Sequence, residues 1–593
     1  MNRTSNAIED KLTELSGEVK LLGGKIDTLT SRMERLEKNP PLKAHCQPAS
    51  PVPFPKQVMP ANEILAGVDK STFLSKLATI CFILVFALVL RTLTDGGILA
   101  HKTGSFIGIA YAASLIAVGW KLLKQQSGIA SVFPVCGALL IYSVVLETHA
   151  RFEPFTSATA YAILFLTLIT LAALGKRFSH SVLIGVGLLG AATAALIIDF
   201  PRPISHQVAI FLLAANILAF YLSDLPLCRG IQIALYSLTL LFWILWAHKI
   251  NFNLTKGWEL PAGYSLFWFI PLTALFGLTF TGLSYYRAFH RGRELGITDS
   301  ILPTITVSWT YATCWAVALP WLRQSRVIGV AGVAFAALLY GGAWAIFRYS
   351  RDGGTGICAF TFAASTLLLL ASPAAAGDIL FALPFLSTVA LALLMSSHAC
   401  EVGGIRLSSY LLQVLACILA VFCGVFAPGS PTGEFMGFLA AASMALLSGF
   451  HYFLSRRHPI SCSSGFFPRL DPADRTAVAL LIAALVNGYY MALFIAYHLL
   501  VLFSDGLENG LIGSQSVLIN TGAIGLMILG LKGKKREILY TATGVAVIGA
   551  CKVFGFDLFK AKGIPLVVSV FSFGAVAAVG SVVLRRIPRM QKT

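Results

Sequence analysis

The sequence predicts an all-α polytopic integral membrane protein, with about eighteen transmembrane helices behind an N-terminal cytoplasmic coiled-coil helix. Three observations carry that prediction. The 593 residues are 56% hydrophobic and only 12% charged, with mean hydropathy +0.77, which is more apolar surface than a soluble domain can hide from water. Beyond residue 70, apolar runs of roughly twenty residues alternate with short polar turns, and that length matches the hydrocarbon thickness of a bilayer. Residues 8–36 instead carry a heptad repeat in a polar background.

In chain order, the first element is the heptad segment, within residues 1–39. Ile8, Leu12, Leu15, Val19, Leu22, Ile26, Leu29, Met33 and Leu36 alternate spacings of four and three. With Leu12, Val19, Ile26 and Met33 at a, the d positions are mostly leucine, which favours a parallel dimer, and Arg32 at g can reach Glu37 at e of a partner chain. Gly23 and Gly24 each cost about 1 kcal/mol of helix propensity, so the pairing is weak unless both copies are tethered to one membrane. The segment therefore forms a homodimer, pairs with a partner coiled coil, or docks as an amphipathic helix on the protein's own surface. Residues 40–70 form a linker in which Pro40, Pro41, Pro48, Pro51, Pro53, Pro55 and Pro60 preclude a helix and favour an extended, semi-rigid spacer.

Residues 71–593 form the transmembrane domain. Its spans fall at about 72–93, 103–122, 128–147, 156–175, 179–199, 204–222, 229–248, 261–283 and 300–321, then 326–347, 355–372, 376–395, 405–427, 432–455, 475–502, 510–531, 535–553 and 563–584. Alternate turns differ in basic residues. One set holds Lys121, Lys124, Lys176, Arg177, Arg287, Arg291, Arg348, Arg406, Arg456, Arg457, Lys532 and Arg536 among others, and the opposite set holds far fewer. The positive-inside rule then puts the richer set, and both termini, in the cytoplasm of a bacterial inner membrane. Trp243, Trp246 and Trp258 lie near one outer turn, where an interfacial aromatic belt is expected.

The net charge of +18 would suggest nucleic acid in a soluble protein. Here the basic residues are dispersed through short turns, and nucleic-acid binding is excluded on that distribution. The 11 cysteines are scattered singly without a CxxC pair, so neither a zinc site nor a disulfide framework is indicated. The N-terminus lacks the pattern of a cleaved signal peptide, so insertion is expected to begin with the first span.

Three stretches, Arg91-Thr92-Leu93-Thr94-Asp95-Gly96-Gly97-Ile98, Ala117-Val118-Gly119-Trp120-Lys121-Leu122 and Leu183-Ile184-Gly185-Val186-Gly187-Leu188-Leu189-Gly190, carry a family resemblance. The segment from Phe86 to about Pro203 resembles an uncharacterised family of bacterial predicted membrane proteins with a coiled-coil tail, a proline-rich linker and many spanning helices. The resemblance implies architecture and supplies no activity or site residues.

Candidate sites are weighed against plain packing. Gly185, Gly187 and Gly190 spell GxGxxG, but no strand or βαβ unit surrounds them, so they read as close helix packing rather than a dinucleotide site. Arg91 and Asp95, four apart on one helix face, either end the first span or line an outward cavity. Thr304, Ser308, Tyr311 and Trp315 form one stripe on the ninth span, which must meet another polar helix, water or a ligand. Asn487, Tyr490, Tyr497, His498 and Asp505 form a comparable arc on the fifteenth, where His498 can titrate near neutral pH. His398 and Glu401 read as an interfacial pair, since two ligands make a poor metal site.

No Walker A loop, nucleophile elbow or kinase signature is present, so no catalytic, cofactor or metal residues are assigned. Three functions remain open. The first is transport or translocation of a solute or lipid-linked group through an intramembrane polar cavity lined by these stripes. The second is a non-enzymatic scaffold self-associating through residues 8–36. The third is a lipid-linked glycosyltransferase, for which the first outer turn offers only Asp95.

Overall fold

The computed structural model describes residues 70–586, apart from 97, 128, 150–155, 199–204, 226–227, 261–263, 292–296, 323–324, 350–353, 427–433, 459–470, 472–473, 504–506 and 534. The heptad seam from Ile8 to Leu36 and the proline-rich linker lie outside the described residues. The chain divides into two units, Met1–Leu74 and Ser75–Thr593.

Among the described residues all regular structure is helical. In lipid each backbone N–H and C=O must be satisfied within its own segment, and a helix does this. The first nine helices of the described residues are α1 (Lys70–Asp95), α2 (His101–Lys124), α3 (Val132–Glu147), α4 (Ser157–Phe178), α5 (Ser181–Ile198), α6 (Ser205–Leu222), α7 (Cys228–Lys256), α8 (Leu266–Arg291) and α9 (Ile297–Leu322). The next nine are α10 (Ser325–Tyr349), α11 (Gly354–Ala376), α12 (Ile379–Cys400), α13 (Gly403–Phe422), α14 (Glu434–Arg457), α15 (Val478–Phe503), α16 (Leu507–Gly533), α17 (Arg536–Lys560) and α18 (Ile564–Arg586). Each predicted span falls on one of these helices in order. By length and composition 15 of them can cross a membrane, and α3 is a shorter apolar helix. The protein is thus an all-α polytopic membrane protein.

Helix ends follow local chemistry. Thr156 accepts a hydrogen bond from the Thr159 amide and Asp378 one from the Leu380 amide, capping α4 and α12. Ser179 and Glu401 end the same two helices in the left-handed region, at φ 56° and 55°. Among the described residues, complete π-helical turns lie at Val186–Gly190 in α5 and Val553–Asp557 in α17. At the first, the Tyr142 hydroxyl lies within hydrogen-bonding range of the Val186 and Gly187 carbonyls.

Without a hydrophobic force between helices in lipid, close approach and interhelical hydrogen bonds hold the bundle together. A side chain at Gly190 would meet the Tyr142 ring and one at Gly187 the Leu171 Cβ. The GxGxxG glycines therefore serve packing. Buried apolar residues form one cluster spanning α2 to α9, a second from α8 to α15, and a third within α15 to α18. The aromatic expectation is corrected in part. Trp258 is exposed, but Trp243 and Trp246 are buried, stacked 5.3 Å apart and edged by Phe269. They sit inside the first cluster because α7 turns that face toward α8 rather than toward the membrane surface.

Candidate functional site

The richest polar assembly runs along α13. Arg406, Ser409, Tyr410 and Gln413 recur at i, i+3, i+4 and i+7, hence on one helix face, and each is 0–2% exposed. Polar groups at this depth are costly unless they find partners. α12, α14 and α15 supply them.

At the α13 N-terminus, the Arg406 guanidinium is held from every side. Nε donates to the Tyr410 hydroxyl at 2.6 Å, Nη1 to the His458 carbonyl at 2.9 Å, and Nη2 to the Ser455 carbonyl at 2.7 Å and to Asp474 Oδ2 at 2.6 Å. The Tyr410 hydroxyl donates onward to the same carboxylate at 3.2 Å. Arg456 Nη1 lies 3.9 Å from Asp474 Oδ2, while its Nη2 lies 2.6 Å from Glu537 Oε2 and so ties α14 to α17. Asp474 takes up φ +51°, a left-handed conformation that Asp tolerates at a cost on the order of 1 kcal/mol. Just upstream, Asp471 accepts from the Arg475 and Thr476 amides at 2.8 and 2.6 Å, starting the turn that leads into α15.

The two carboxyls shift oppositely. Burial pushes Asp474 above the usual carboxylate range, with the Arg406 and Arg456 guanidiniums and the Tyr410 hydroxyl pulling it back. Burial also acts to raise Asp471, but the Thr476 and Arg475 amides, the Thr476 hydroxyl and the Arg456 charge outweigh it and hold that carboxyl below its ordinary value.

One turn deeper, Ser409 Oγ donates to the Ala390 carbonyl at 2.6 Å and lies 2.8 Å from His451 Nε2. A hydroxyl has a single proton, so Ser409 accepts from His451 Nε2–H, and the neutral ring presents Nδ1 as an acceptor. A further turn in, Gln413 Nε2 donates to Ser387 at 3.0 Å and to Ser448 at 2.7 Å. Beyond it the Cys417 thiol is within hydrogen-bonding reach of Asn487, whose Nδ2 donates to the Ala483 carbonyl at 2.8 Å. From Arg406 to Cys417 this column climbs about 16 Å along α13, at 1.5 Å per residue.

Between Ser409 and Cys417 three atoms of the column have no hydrogen-bond partner among the described residues, His451 Nδ1, Gln413 Oε1 and Asn487 Oδ1; at its charged end Asp474 Oδ1 and Arg456 Nε have none either. With the ring in the tautomer set by Ser409, the first three are all acceptors. Such a lining suits water or a ligand rich in O–H or N–H donors.

The candidate residues read from sequence are dispersed. Asn487 lies in the column and is fully buried. Tyr490 is half-buried, its ring 5.6 Å from Phe426 and 5.5 Å from Tyr489. Tyr497 and His498 are farther along α15, with His498 exposed, about 16 Å of helix rise from Asn487. Asp505 lies outside the described residues. On α9, Thr304 is buried, Ser308 and Tyr311 are half-buried, and Trp315 is exposed. The hydroxyls of Thr304, Ser308 and Tyr311 have no partner among the described residues, nor do those of Ser284 on α8 and Ser372 on α11. Tyr311 and Tyr490 pack against the same apolar cluster. Arg91 pairs with Glu147 at 2.9 Å, joining α1 to α3; nothing is described of the Asp95 side chain. His398 lies 5.1 Å from the His458 ring, and Glu401 ends α12.

Arg406, Ser409, Tyr410, Gln413, His451 and Asp474 were not selected as a site from sequence, although the stripe spacing on α13 is a readable signal. Two further ionic groups lie elsewhere. Arg287 bonds Asp299 at 2.9 Å, the Phe220 carbonyl at 2.9 Å and the Ser223 hydroxyl, while Arg229 reaches the same Asp299 at 2.8 Å. At the π-helical turn of α17, Lys552 donates to Asp557, to Ser516 and to the Ile512 carbonyl at 2.8–3.0 Å, and Ser516 bonds Asp557 in turn. Among the described residues no group of three His, Cys, Asp or Glu side chains could hold a metal ion.

The fold and column define the class: a multi-pass α-helical membrane protein with a buried polar seam. Compared with known families, curated proteins and solved structures, the chain has no match.

Proposed function

We propose that the protein is a transport protein of the bacterial inner membrane, moving a polar solute or a lipid-linked group across the bilayer. The α13 column is the element that recognises it. The supporting observation is the set of buried acceptors His451 Nδ1, Gln413 Oε1 and Asn487 Oδ1 at membrane depth, each lacking a partner among the described residues. An unpaired buried acceptor costs about 1–3 kcal/mol, so a donor-bearing solute seated there gains by satisfying it. The favoured cargo carries hydroxyl or amine donors. The bias of basic residues supports placing the Arg406 end, and both termini, on the cytoplasmic side.

The test is complementation of a strain lacking the gene by the variant Gln413→Leu, His451→Leu, Asn487→Leu, with membrane levels matched to the native protein. The readout is the solute profile of cells and medium. The expected result is the profile of the deletion strain. Full restoration by the triple variant would overturn the proposal, and would leave the scaffold reading through residues 8–36 as its successor.

A further inference from the structure

A separate feature lies on the outer surface of α10 to α13. A groove of about 300 Å³ runs between Trp344 and Phe347 of α10, Ile357 of α11, Val389 and Leu393 of α12, and Ile405 at the start of α13. Its floor is buried, with Ile357 at 4% and Leu393 at 8% exposure, while its rim is open, with Trp344 at 59%. Elsewhere on α10 and α12, Leu338, Val330 and Phe385 are also large apolar side chains left exposed. In a chain of this class such a surface faces acyl chains, so an apolar groove in it is filled from the bilayer.

Among the described residues a cation lies one helical turn beyond the groove residue Trp344. Arg348 is exposed in the last turn of α10, its guanidinium carbon 5.7 Å from the Trp344 ring centroid. A residue in the last turn of a spanning helix sits near headgroup level, where guanidinium and indole side chains gather. A mainly apolar groove with a guanidinium beside one of its lining residues, Trp344, matches one acyl chain and one phosphate of a single lipid.

We propose that this groove is a binding site for an anionic phospholipid, with one acyl chain seated against Ile357, Leu393 and Ile405 and the phosphate on Arg348. An anionic headgroup is preferred because a zwitterionic one brings its own ammonium toward Arg348. Ile405 immediately precedes Arg406, so the seated chain packs against the turn from which the polar column starts. The assignment is independent of the transport reading.

The test is native mass spectrometry of the full-length, delipidated protein, titrated with phosphatidylglycerol, phosphatidylcholine and diacylglycerol of identical chains. One phosphatidylglycerol is expected to bind about tenfold more tightly than either comparator, the value of a single charge-assisted contact. Arg348→Gln removes that preference, and Ala392→Trp, which fills the groove, removes the tight event itself. Equal binding of the three lipids, or unchanged phosphatidylglycerol binding in Ala392→Trp, overturns the proposal. Should Ala392→Trp fail to fold, quenching by chain-brominated phosphatidylglycerol decides the matter. The quenched tryptophan fluorescence is expected to fall in Trp344→Phe, and identical quenching in both proteins overturns it.

Discussion

Arg406 offers the sharpest test of how the α13 column is held. The residue is 2% exposed, and its guanidinium makes four polar contacts, to Tyr410, His458, Ser455 and Asp474. In Arg406→Met the side chain keeps its approximate length, but two carbonyls and a carboxylate lose their donor. Removing one member of a buried ion pair costs about 3–5 kcal/mol. The lower end is expected, because Arg456 Nη1 at 3.9 Å and the Tyr410 hydroxyl stay near Asp474, and because burial already pushes that carboxyl upward, toward its neutral form. Asp474→Asn keeps an acceptor and forfeits only the charge, worth about 1.5–3 kcal/mol for a hydrogen bond to a charged group.

The double variant is the informative one. Independent effects would sum to about 5 kcal/mol or more, whereas partners in one network share their loss, with interaction energies of about 0.5–3 kcal/mol. Equilibrium unfolding in mixed micelles, followed by tryptophan fluorescence at constant slope, gives all three values. Additivity within about 0.5 kcal/mol, or a cost for Arg406→Met under about 1 kcal/mol, would refute the ion pair as the anchor of the column.

Three further outcomes follow from the same geometry. Asp471→Ala removes the acceptor for the Arg475 and Thr476 amides and should cost about 0.5–2 kcal/mol near neutral pH. Because the folded carboxyl sits below its ordinary 3.8, that stabilisation is present above the unfolded value and fades as pH falls through the folded one, so native and variant stabilities should converge in acid; a constant gap at all pH would contradict the cap. Gly329→Ala on α10 would press a Cβ into the Ala374 and Ala375 backbone of α11, while Gly341→Ala on the same helix meets open space. The first should destabilise by about 1–3 kcal/mol and the second stabilise by about 0.5–1 kcal/mol, and equal thermal shifts would show that α10 and α11 are not in contact there. Deleting residues 1–60 should reduce the particle to a monomer by light scattering if the heptads pair two copies; an unchanged mass assigns self-association elsewhere.

The helices were legible because lipid makes a simple demand. A run of about twenty apolar residues has one structural solution in a bilayer, and each run in the sequence lies on one helix. Helix faces were harder to read. Trp243 and Trp246 were expected at an interface from their place in the chain, yet α7 buries them against Phe269, a choice made by neighbouring helices. Asn487 was identifiable because an amide in a spanning helix is conspicuous by itself. Arg406 looked like one more basic residue in a turn, since its partner Asp474 is 68 residues away and no local pattern joins them. Gln413 and Ser409 could have been found by applying to the thirteenth span the stripe rule used on the ninth and fifteenth.

On the proposed transport reading, the depth of each polar group narrows what the column can pass. Its charges, Arg406 with Asp474 and Arg456 with Glu537, gather where α13 begins and α14 ends, the level at which water and headgroups weaken charge. Arg287, Arg229 and Asp299 repeat that placement at the junction of α8 and α9. Midway along α13 the chemistry turns to neutral amides and hydroxyls, with Gln413, Ser387, Ser448 and Asn487. An ion crossing there would meet no counter-charge on the column, and a solvated charge in a low-dielectric interior costs several kcal/mol at least. A neutral, donor-rich solute would instead satisfy the Gln413 and Asn487 carbonyl oxygens as it passed. If the column conducts, its cargo at mid-depth is uncharged. Gln413→Glu, which places a carboxylate at that level, should then block a neutral solute, whereas faster flux of a cationic one would show the selectivity argument to be wrong.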